Sequence, residues 1–255
     1  MNWLITGGCG FIGLRLVRYL LKKENQHIRI FDNLSVGTRE DLAKVSEFVE
    51  GSPPDSFSST HSEKPVQLIV GDIQDETLVL QSLENIDVVV HLAANTGVGP
   101  SVEDPRTDCL TNVIGTFNLL EAARSAQVKR LVFASSGAPV GEVTPPIHEE
   151  LAPHPVSPYG ASKLAGEGYC SAYYRTFGLE TVALRFGNVY GPGSTHKGSV
   201  VAKFIRQALA GEILEVYGDG TQTRDFVYVD DLIKAIWQAA TVPGVGGEVF
   251  QIATN

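Results

Sequence analysis

Short apolar runs alternate along this chain with segments whose apolar residues recur at helical spacing. The runs are 2–6, 28–31, 66–70, 87–91, 130–134 and 180–185. Between them, segments near 12–23, 75–83, 112–126 and 158–177 carry the three-and-four spacing of amphipathic helices. In the first, Ile12, Leu16, Tyr19 and Leu20 share a face, and Lys22 and Lys23 sit near its end, where cations suit the helix dipole. Runs such as Asp87-Val88-Val89-Val90-His91 and Arg130-Leu131-Val132-Phe133 lack polar alternation, as expected of strands covered on both faces. This rhythm predicts an α/β fold with a doubly wound parallel sheet. The Pro/Ser-rich stretch from Gly51-Ser52-Pro53-Pro54 to Lys64-Pro65 reads as a surface loop without a catalytic role, and no internal repeat is found.

The first strand runs into Thr6-Gly7-Gly8-Cys9-Gly10-Phe11-Ile12-Gly13, which opens the first helix. Gly7 permits the tight turn, Gly10 lets a pyrophosphate approach the backbone, and Gly13 lets helix pack close to strand. The phosphates would rest on the N–H groups at the helix start, at Phe11 and Ile12. The second strand ends in Asp32, whose carboxylate can accept hydrogen bonds from the adenosine ribose hydroxyls and repel a 2′-phosphate. No arginine follows it at once; the next residues are Asn33-Leu34-Ser35. The expected cofactor is therefore NAD rather than NADP, on a Rossmann-type sheet.

Composition narrows the partners. The 255 residues are 43% apolar and 19% charged, enough for one large domain or a domain plus a lobe. A net charge of −9 disfavours a nucleic-acid or anionic-membrane surface, so an anionic ligand must be held by local cations and helix ends. Cys9, Cys109 and Cys170 are too few and too scattered for a disulfide framework or a metal site, and no metal is expected. Cys9 is read as a small packed side chain, not a nucleophile. No stretch is long enough to span a bilayer and no leader is recognised, so cytoplasmic localisation is the expectation.

Ser157-Pro158-Tyr159-Gly160-Ala161-Ser162-Lys163 carries the candidate chemistry. Ser157 suits an N-cap and Pro158 a first helical residue. Tyr159 and Lys163 then share a helix face, and an ammonium beside a phenol is expected to lower its pKa. A Tyr tuned this way can act as general base on a sugar or alcohol hydroxyl. Lys163 can also reach the nicotinamide ribose. The strand ending in Ala134-Ser135-Ser136 points its C-terminal end at the same crevice, which lets Ser136 share the substrate hydroxyl.

Together these motifs resemble the extended short-chain dehydrogenase/reductases, and within them the NAD-dependent epimerase/dehydratase family and its UDP-glucose 4-epimerases. The resemblance runs through the glycine turn, Asp32-Asn33-Leu34, Gly71-Asp72-Ile73, His91-Leu92-Ala93-Ala94, Asn112-Val113-Ile114-Gly115-Thr116, Ser135-Ser136 and Tyr159-Gly160-Ala161-Ser162-Lys163. It continues through Leu184-Arg185-Phe186-Gly187-Asn188-Val189-Tyr190-Gly191-Pro192 and Gly218-Asp219-Gly220-Thr221-Gln222-Thr223-Arg224-Asp225-Phe226. It implies that Asp72 and Ile73 hold the adenine end, that Leu92, Ala93 and Ala94 line the pyrophosphate crevice, and that Asn112 steadies the active-site backbone. Ser135, Tyr159 and Lys163 would complete the cofactor site, and His91 would be a packed strand residue. On the substrate side it implies that Asn188 contacts the diphosphate, Val200 and Tyr217 flank the base, and Arg224 pairs with the phosphates. For Arg224 a surface ion pair with Asp225 is the plain alternative, and for His196-Lys197 a solvated loop stands beside a phosphate or sugar contact.

The expected activity is that of an NAD-dependent nucleotide-sugar epimerase, an isomerase acting at C4 of a UDP-hexose through a transient 4-keto sugar. The alternatives are another nucleotide-sugar oxidoreductase or reductase of the same family, and a catalytically weak NAD-binding module. Two departures stand out. The segment after Ser136 is Gly137-Ala138-Pro139-Val140-Gly141, where the family usually runs to Val-Tyr-Gly; these residues lack the acid pair of the 4,6-dehydratases, which disfavours dehydration. The chain also stops after Glu248–Asn255, read as a strand leading into a turn, where relatives continue; a fragment with weakened substrate binding is the expectation. Residues 1–186, with 226–242 returning to them, are expected to form the NAD-binding domain, and 187–225 with 243–255 a partial substrate lobe. A homodimer is expected to pair helices near 102–126 and 158–177 through Leu110, Phe117, Ala165, Tyr169 and Tyr173.

Overall fold

The computed structural model describes residues 1–52, 66–194, 199–216 and 218–254. The chain begins with β1 (Asn2–Thr6), α1 (Phe11–Leu20), β2 (His27–Asp32), α2 (Arg39–Ala43), β3 (Val49–Glu50), β4 (Val66–Val70), α3 (Glu76–Ser82) and β5 (Val88–His91). Two short helices follow, α4 (Val98–Glu103) and α5 (Pro105–Cys109), and a π turn at Leu110–Ile114 joins the second to α6 (Gly115–Ser125). The rest is β6 (Arg130–Ser136), a short 3₁₀ turn at Ala138–Val140, α7 (Pro158–Phe177), β7 (Glu180–Phe186), β8 (Asn188–Tyr190), α8 (Val200–Ala210), β9 (Phe226–Tyr228), α9 (Val229–Thr241) and β10 (Val249–Ile252).

Eight strands form one sheet in the order β10-β7-β6-β5-β1-β2-β4-β3, and every pairing in it is parallel. The expected doubly wound α/β sheet is therefore present. The chain winds outward from β1 through β2 on one side and from β5 on the other. That reversal leaves a crevice beyond the carboxyl ends of β1 and β5, where Thr6 pairs with both Phe31 and His91. Successive strand residues serve opposite faces. Trp3 and Ile5 pack with Val17, Leu20 and Ile236 on one side, and Leu4 packs with Leu120, Leu131 and Phe133 on the other. With both faces covered, the strands need no polar alternation.

Two glycines of the turn have steric work. Gly7 has φ +66, and a Cβ there would lie 2.8 Å from the Ala93 nitrogen. A Cβ on Gly13 would lie 2.6 Å from the Gly7 carbonyl, so α1 packs directly on the turn that precedes it. At the other candidate helix, Ser157 caps α7 by accepting from the Gly160 N–H, Pro158 is the first helical residue, and Gly178 ends the helix in the left-handed conformation.

The C-terminal third departs from the expected division. Val249–Ile252, assigned by sequence to the lobe, pairs with β7 as the edge of the main sheet. β8 and β9 form a separate two-stranded parallel sheet, so Phe226–Tyr228 pairs with the lobe segment and not with the main sheet. Helix α9 does return, with Leu232, Ile233 and Ile236 fully or nearly fully buried in the core, and Asp230 accepts a forked ion pair from Arg15 of α1. The expected surface loop lies almost wholly at 53–65, outside the described residues, as do His196-Lys197 and Tyr217.

Candidate active site

A crevice of about 1140 Å³ opens at the switch point. Gly7, Gly10, Phe11 and Ile12 line its floor, Asp32, Asn33, Asp72 and Ile73 one end, Leu92, Ala93 and Ala94 its middle, and Ser135, Ser136, Tyr159 and Lys163 the other end. All of these were singled out by sequence. Helix α1 has no side-chain cap at Gly10, so the positive end of its dipole faces this space. Arg15 and Arg18 of α1 also line it, as do Phe186, Gly187, Val189 and Pro192; sequence reasoning missed the two arginines and quoted the other four only as motif residues. The arginines follow the glycine turn on the same helix, which is the signal that could have found them.

Asp32 is 7% exposed. Its carboxylate accepts from the Cys9 N–H at 2.9 Å and the Leu34 N–H at 2.8 Å, which ties the glycine turn to the end of β2. A carboxylate has about four acceptor positions, so two bonds leave room for ribose hydroxyls. Burial raises its pKa, and the two backbone bonds oppose the rise. Cys9 is packed as expected; burial pushes its thiol up to about 12, so it is no nucleophile. Asn33 donates to the Asp72 carboxylate at 3.0 Å, joining the two residues at the adenine end.

Asn112 sits in the π turn, 2% exposed, behind the crevice wall. Its side-chain oxygen accepts from the Asn95 N–H at 2.8 Å and its amide donates to the Asn95 carbonyl at 2.9 Å. It therefore clamps the backbone of a lining residue, as its motif implied. A helix that widens at this point is a common device for placing one functional side chain.

His91 is buried and packed beside Phe133, and it also has two hydrogen-bond partners: Thr6 Oγ1 on Nδ1 at 2.7 Å and Thr116 Oγ1 on Nε2 at 3.0 Å. The Thr116 hydroxyl donates to the Asn112 carbonyl at 2.6 Å, so it must accept from the ring. Nε2 is then the protonated nitrogen, and Nδ1 accepts from Thr6, whose oxygen in turn accepts from the Ala93 N–H at 3.2 Å. A directed chain of bonds thus runs from the crevice wall through His91 to Asn112. Burial and the charge of Lys163 hold the imidazole neutral, with its pKa down to about 3.

At the catalytic end burial opposes the expected tuning of Tyr159. Burial raises the phenol pKa, the Ser136 hydroxyl acts against the rise, and the charge of Asp108 adds to it. Lys163 is 4% exposed, donates to the Ala134 carbonyl at 2.8 Å, and lies 5.9 Å from the Tyr159 ring centroid. Burial lowers its own pKa to about 8. Desolvation outweighs the pairing of phenol and ammonium because both groups are inside. Ser135, expected beside the cofactor, turns its hydroxyl to Glu167 at 2.5 Å, and Glu167 takes a two-bond fork from Arg185 at 2.9 and 2.8 Å.

Of the substrate residues read from the sequence, Ser136 lines the crevice, Tyr217 lies outside the described residues, and the other three are placed apart. Asn188 is exposed and donates to the Asp225 carbonyl at 3.1 Å, Val200 is 40% exposed at the start of α8, and none of Asn188, Val200 and Arg224 lines the crevice. Arg224 is exposed and donates to the Thr223 carbonyl at 2.8 Å. It makes no described ion pair with Asp225, whose carboxylate accepts from Thr254.

A parallel sheet with a glycine turn, a strand-end Asp and a Tyr–Lys pair around one crevice defines a dinucleotide-binding protein of the short-chain dehydrogenase type. The family model for the NAD dependent epimerase/dehydratase family matches residues 3–253, and the chain belongs to that family. It is 38% identical to a UDP-glucose 4-epimerase of Mycolicibacterium smegmatis, over all of this chain and 78% of the relative. Among solved structures it resembles the UDP-glucose 4-epimerase of Thermotoga maritima with UDP-glucose, at a TM-score of 0.86 and 36% identity, covering 100% of this chain and 77% of that one. It also resembles the UDP-glucuronic acid 4-epimerase of Bacillus cereus in complex with UDP-glucuronic acid and NAD, at 0.84 and 34%, covering 100% and 78%.

Proposed function

We propose that the chain is an NAD-dependent nucleotide-sugar epimerase that inverts C4 of a UDP-hexose. The observation that carries this reading is the meeting of Ser136, Tyr159 and Lys163 in the same crevice as Gly7 and Asp32. The crevice fits the cofactor: the left-handed Gly7 and the uncapped start of α1 leave a backbone cradle for a pyrophosphate, and Asp32 stands at the far end with acceptor capacity left. Gly7, Gly10, Phe11 and Ile12 would hold the pyrophosphate, Asp32 and Asn33 the adenosine ribose, and Asp72 and Ile73 the adenine. Ala93 and Ala94 would line the pyrophosphate crevice, Leu92, Ser135, Tyr159 and Lys163 would frame the nicotinamide half, and Asn112 would steady the wall from behind through the Asn95 backbone. Bound NAD supplies a hydride acceptor that also returns hydride.

Tyr159 takes the proton of the sugar hydroxyl and later gives it back, and the return of the hydride leaves no net redox change. Ser136 shares that hydroxyl and orients it. Lys163, fixed on the Ala134 carbonyl, adds positive charge that favours the phenolate once a ligand's charge joins it. The crevice holds sugar and acceptor in one orientation, which removes much of the entropic barrier. Product analysis on UDP-sugars without added NAD tests this reading; a reductase would instead consume reduced cofactor. Gly137 and Ala138 lack proton-transfer groups, which speaks against dehydration.

Asp32 sets the cofactor preference. Asp32→Ala is expected to weaken NAD binding by about 1.5–3 kcal/mol, the worth of hydrogen bonds to a charged group. Calorimetric titration checks this, and NADP binding as tight as NAD in the unmodified protein would contradict it.

Asn188, Val200, Tyr217 and Arg224 are proposed on the substrate side by the family resemblance, next to lobe residues Gly187, Val189 and Pro192 that line the crevice. A cytoplasmic location is proposed as well, and a division into an NAD-binding domain and a partial lobe with Val249–Ile252 on the NAD-binding side; among the described residues no helix is long and apolar enough to cross a membrane. The homodimer is proposed on Leu110, Phe117 and Tyr169, which are exposed on α6, α7 and the π turn between α5 and α6. Tyr173 is excluded from that face, being 5% exposed and bonded to Glu121. Sedimentation is expected to give a dimer at micromolar concentration; a monomer alone would contradict it.

A further inference from the structure

Asp108 lies in α5, 1% exposed, and no motif drew attention to it. Its carboxylate accepts from the Asn112 amide at 2.8 Å across the π turn. The same amide faces the Ser162 hydroxyl at 3.3 Å, and that hydroxyl donates to the Tyr159 carbonyl at 3.0 Å. A buried carboxylate is costly unless it is bonded and balanced by charge. Ser162 is the neighbour of Lys163 on α7, so this network reaches the Lys163 turn, and the Asp108 charge opposes the lowering of the Lys163 pKa by burial.

We propose that Asp108 is a positioning residue of this site: its buried carboxylate fixes the Asn112 amide that joins the Asn95 backbone to the Tyr159 helix, and its charge balances the Lys163 ammonium. Cys170 and Glu167 act on Lys163 in the same direction, after Asp108, and each is engaged or neutralised in another way. His91 on β5 is neutral, Glu167 on α7 is taken by the Arg185 fork from β7, and burial keeps Cys170 on α7 protonated. The same charge works against the phenolate of Tyr159. Asp108 therefore favours a site that keeps Lys163 charged and Tyr159 protonated until further positive charge arrives.

The inference rests on Tyr159 and Lys163 acting in the proposed reaction, but its test needs no substrate. Lysine labelled with 13C at Cε, with the Lys163 signal assigned by its loss in Lys163→Arg, reports the Lys163 titration by NMR in the purified protein. In Asp108→Asn the Lys163 midpoint, near 8 in the unmodified protein, is expected to fall by about one pH unit. The sign separates charge from structure: a variant that merely loosened the site would let water in and move the midpoint up toward the ordinary lysine value. An unchanged or raised midpoint overturns the proposal. Should Asp108→Asn fail to fold, Asp108→Glu keeps the charge and is expected to hold the midpoint near 8 or above; a fall of a full unit there overturns it equally.

Discussion

Tyr159→Phe is expected to lower turnover of a UDP-sugar by about 10²–10⁴-fold, the usual worth of a positioned general base. The substitution removes one oxygen from a half-buried ring and leaves the ring itself in place. Ser136 loses the phenol but still accepts from the Ala138 N–H at 3.2 Å, and Lys163 stays on the Ala134 carbonyl. Folding and NAD binding are therefore expected to stay near their normal values. Steady-state kinetics with calorimetric NAD titration check both halves. A variant that keeps more than about a tenth of the turnover would remove Tyr159 from the role of base.

The largest stability effect is expected behind the site, not in it. Glu167 and Arg185 each expose 5% of their side chains and meet through two bonds, with Ser135 donating to the same carboxylate. Glu167→Ala strands a guanidinium in the core, and removing one partner of a buried pair costs about 3–5 kcal/mol. Replacing both partners with apolar residues, as in Glu167→Met with Arg185→Leu, is expected to cost far less, because neither charge is then left alone. Chemical denaturation of the two variants checks the contrast. Equal losses for the single and the double replacement, or a single loss under about 1 kcal/mol, would show that the pair is not balanced as described.

What was legible in the sequence, and what was not, follows from the range of each interaction. Helix α7 was read residue for residue because its ends are written locally, by Ser157-Pro158 and Gly178. The glycine turn and Asp32 were legible for the same reason, since the cradle they form is built within one βαβ unit. β8 and β9 were missed because three residues carry no periodicity. The Ser135–Glu167–Arg185 cluster was missed because its members lie 32 and 18 positions apart on separate elements. The tuning of Tyr159 went wrong through burial: the spacing to Lys163 is a local fact, whereas desolvation of both groups is created by the whole sheet and its helices. Asn188, Val200 and Arg224 came from resemblance alone, since no local pattern marks a residue that meets a substrate across two segments of the chain.

The central claim is tested most directly by incubating the protein with a panel of UDP-hexoses, without added NAD, and reading the products by proton NMR. Conversion of at least one sugar to its C4 epimer, approached from either side to the same equilibrium ratio and with no net reduced cofactor formed, is the expected result. A protein that binds NAD yet leaves every sugar unchanged, or that turns one over only while consuming reduced cofactor, would contradict the assignment as an epimerase.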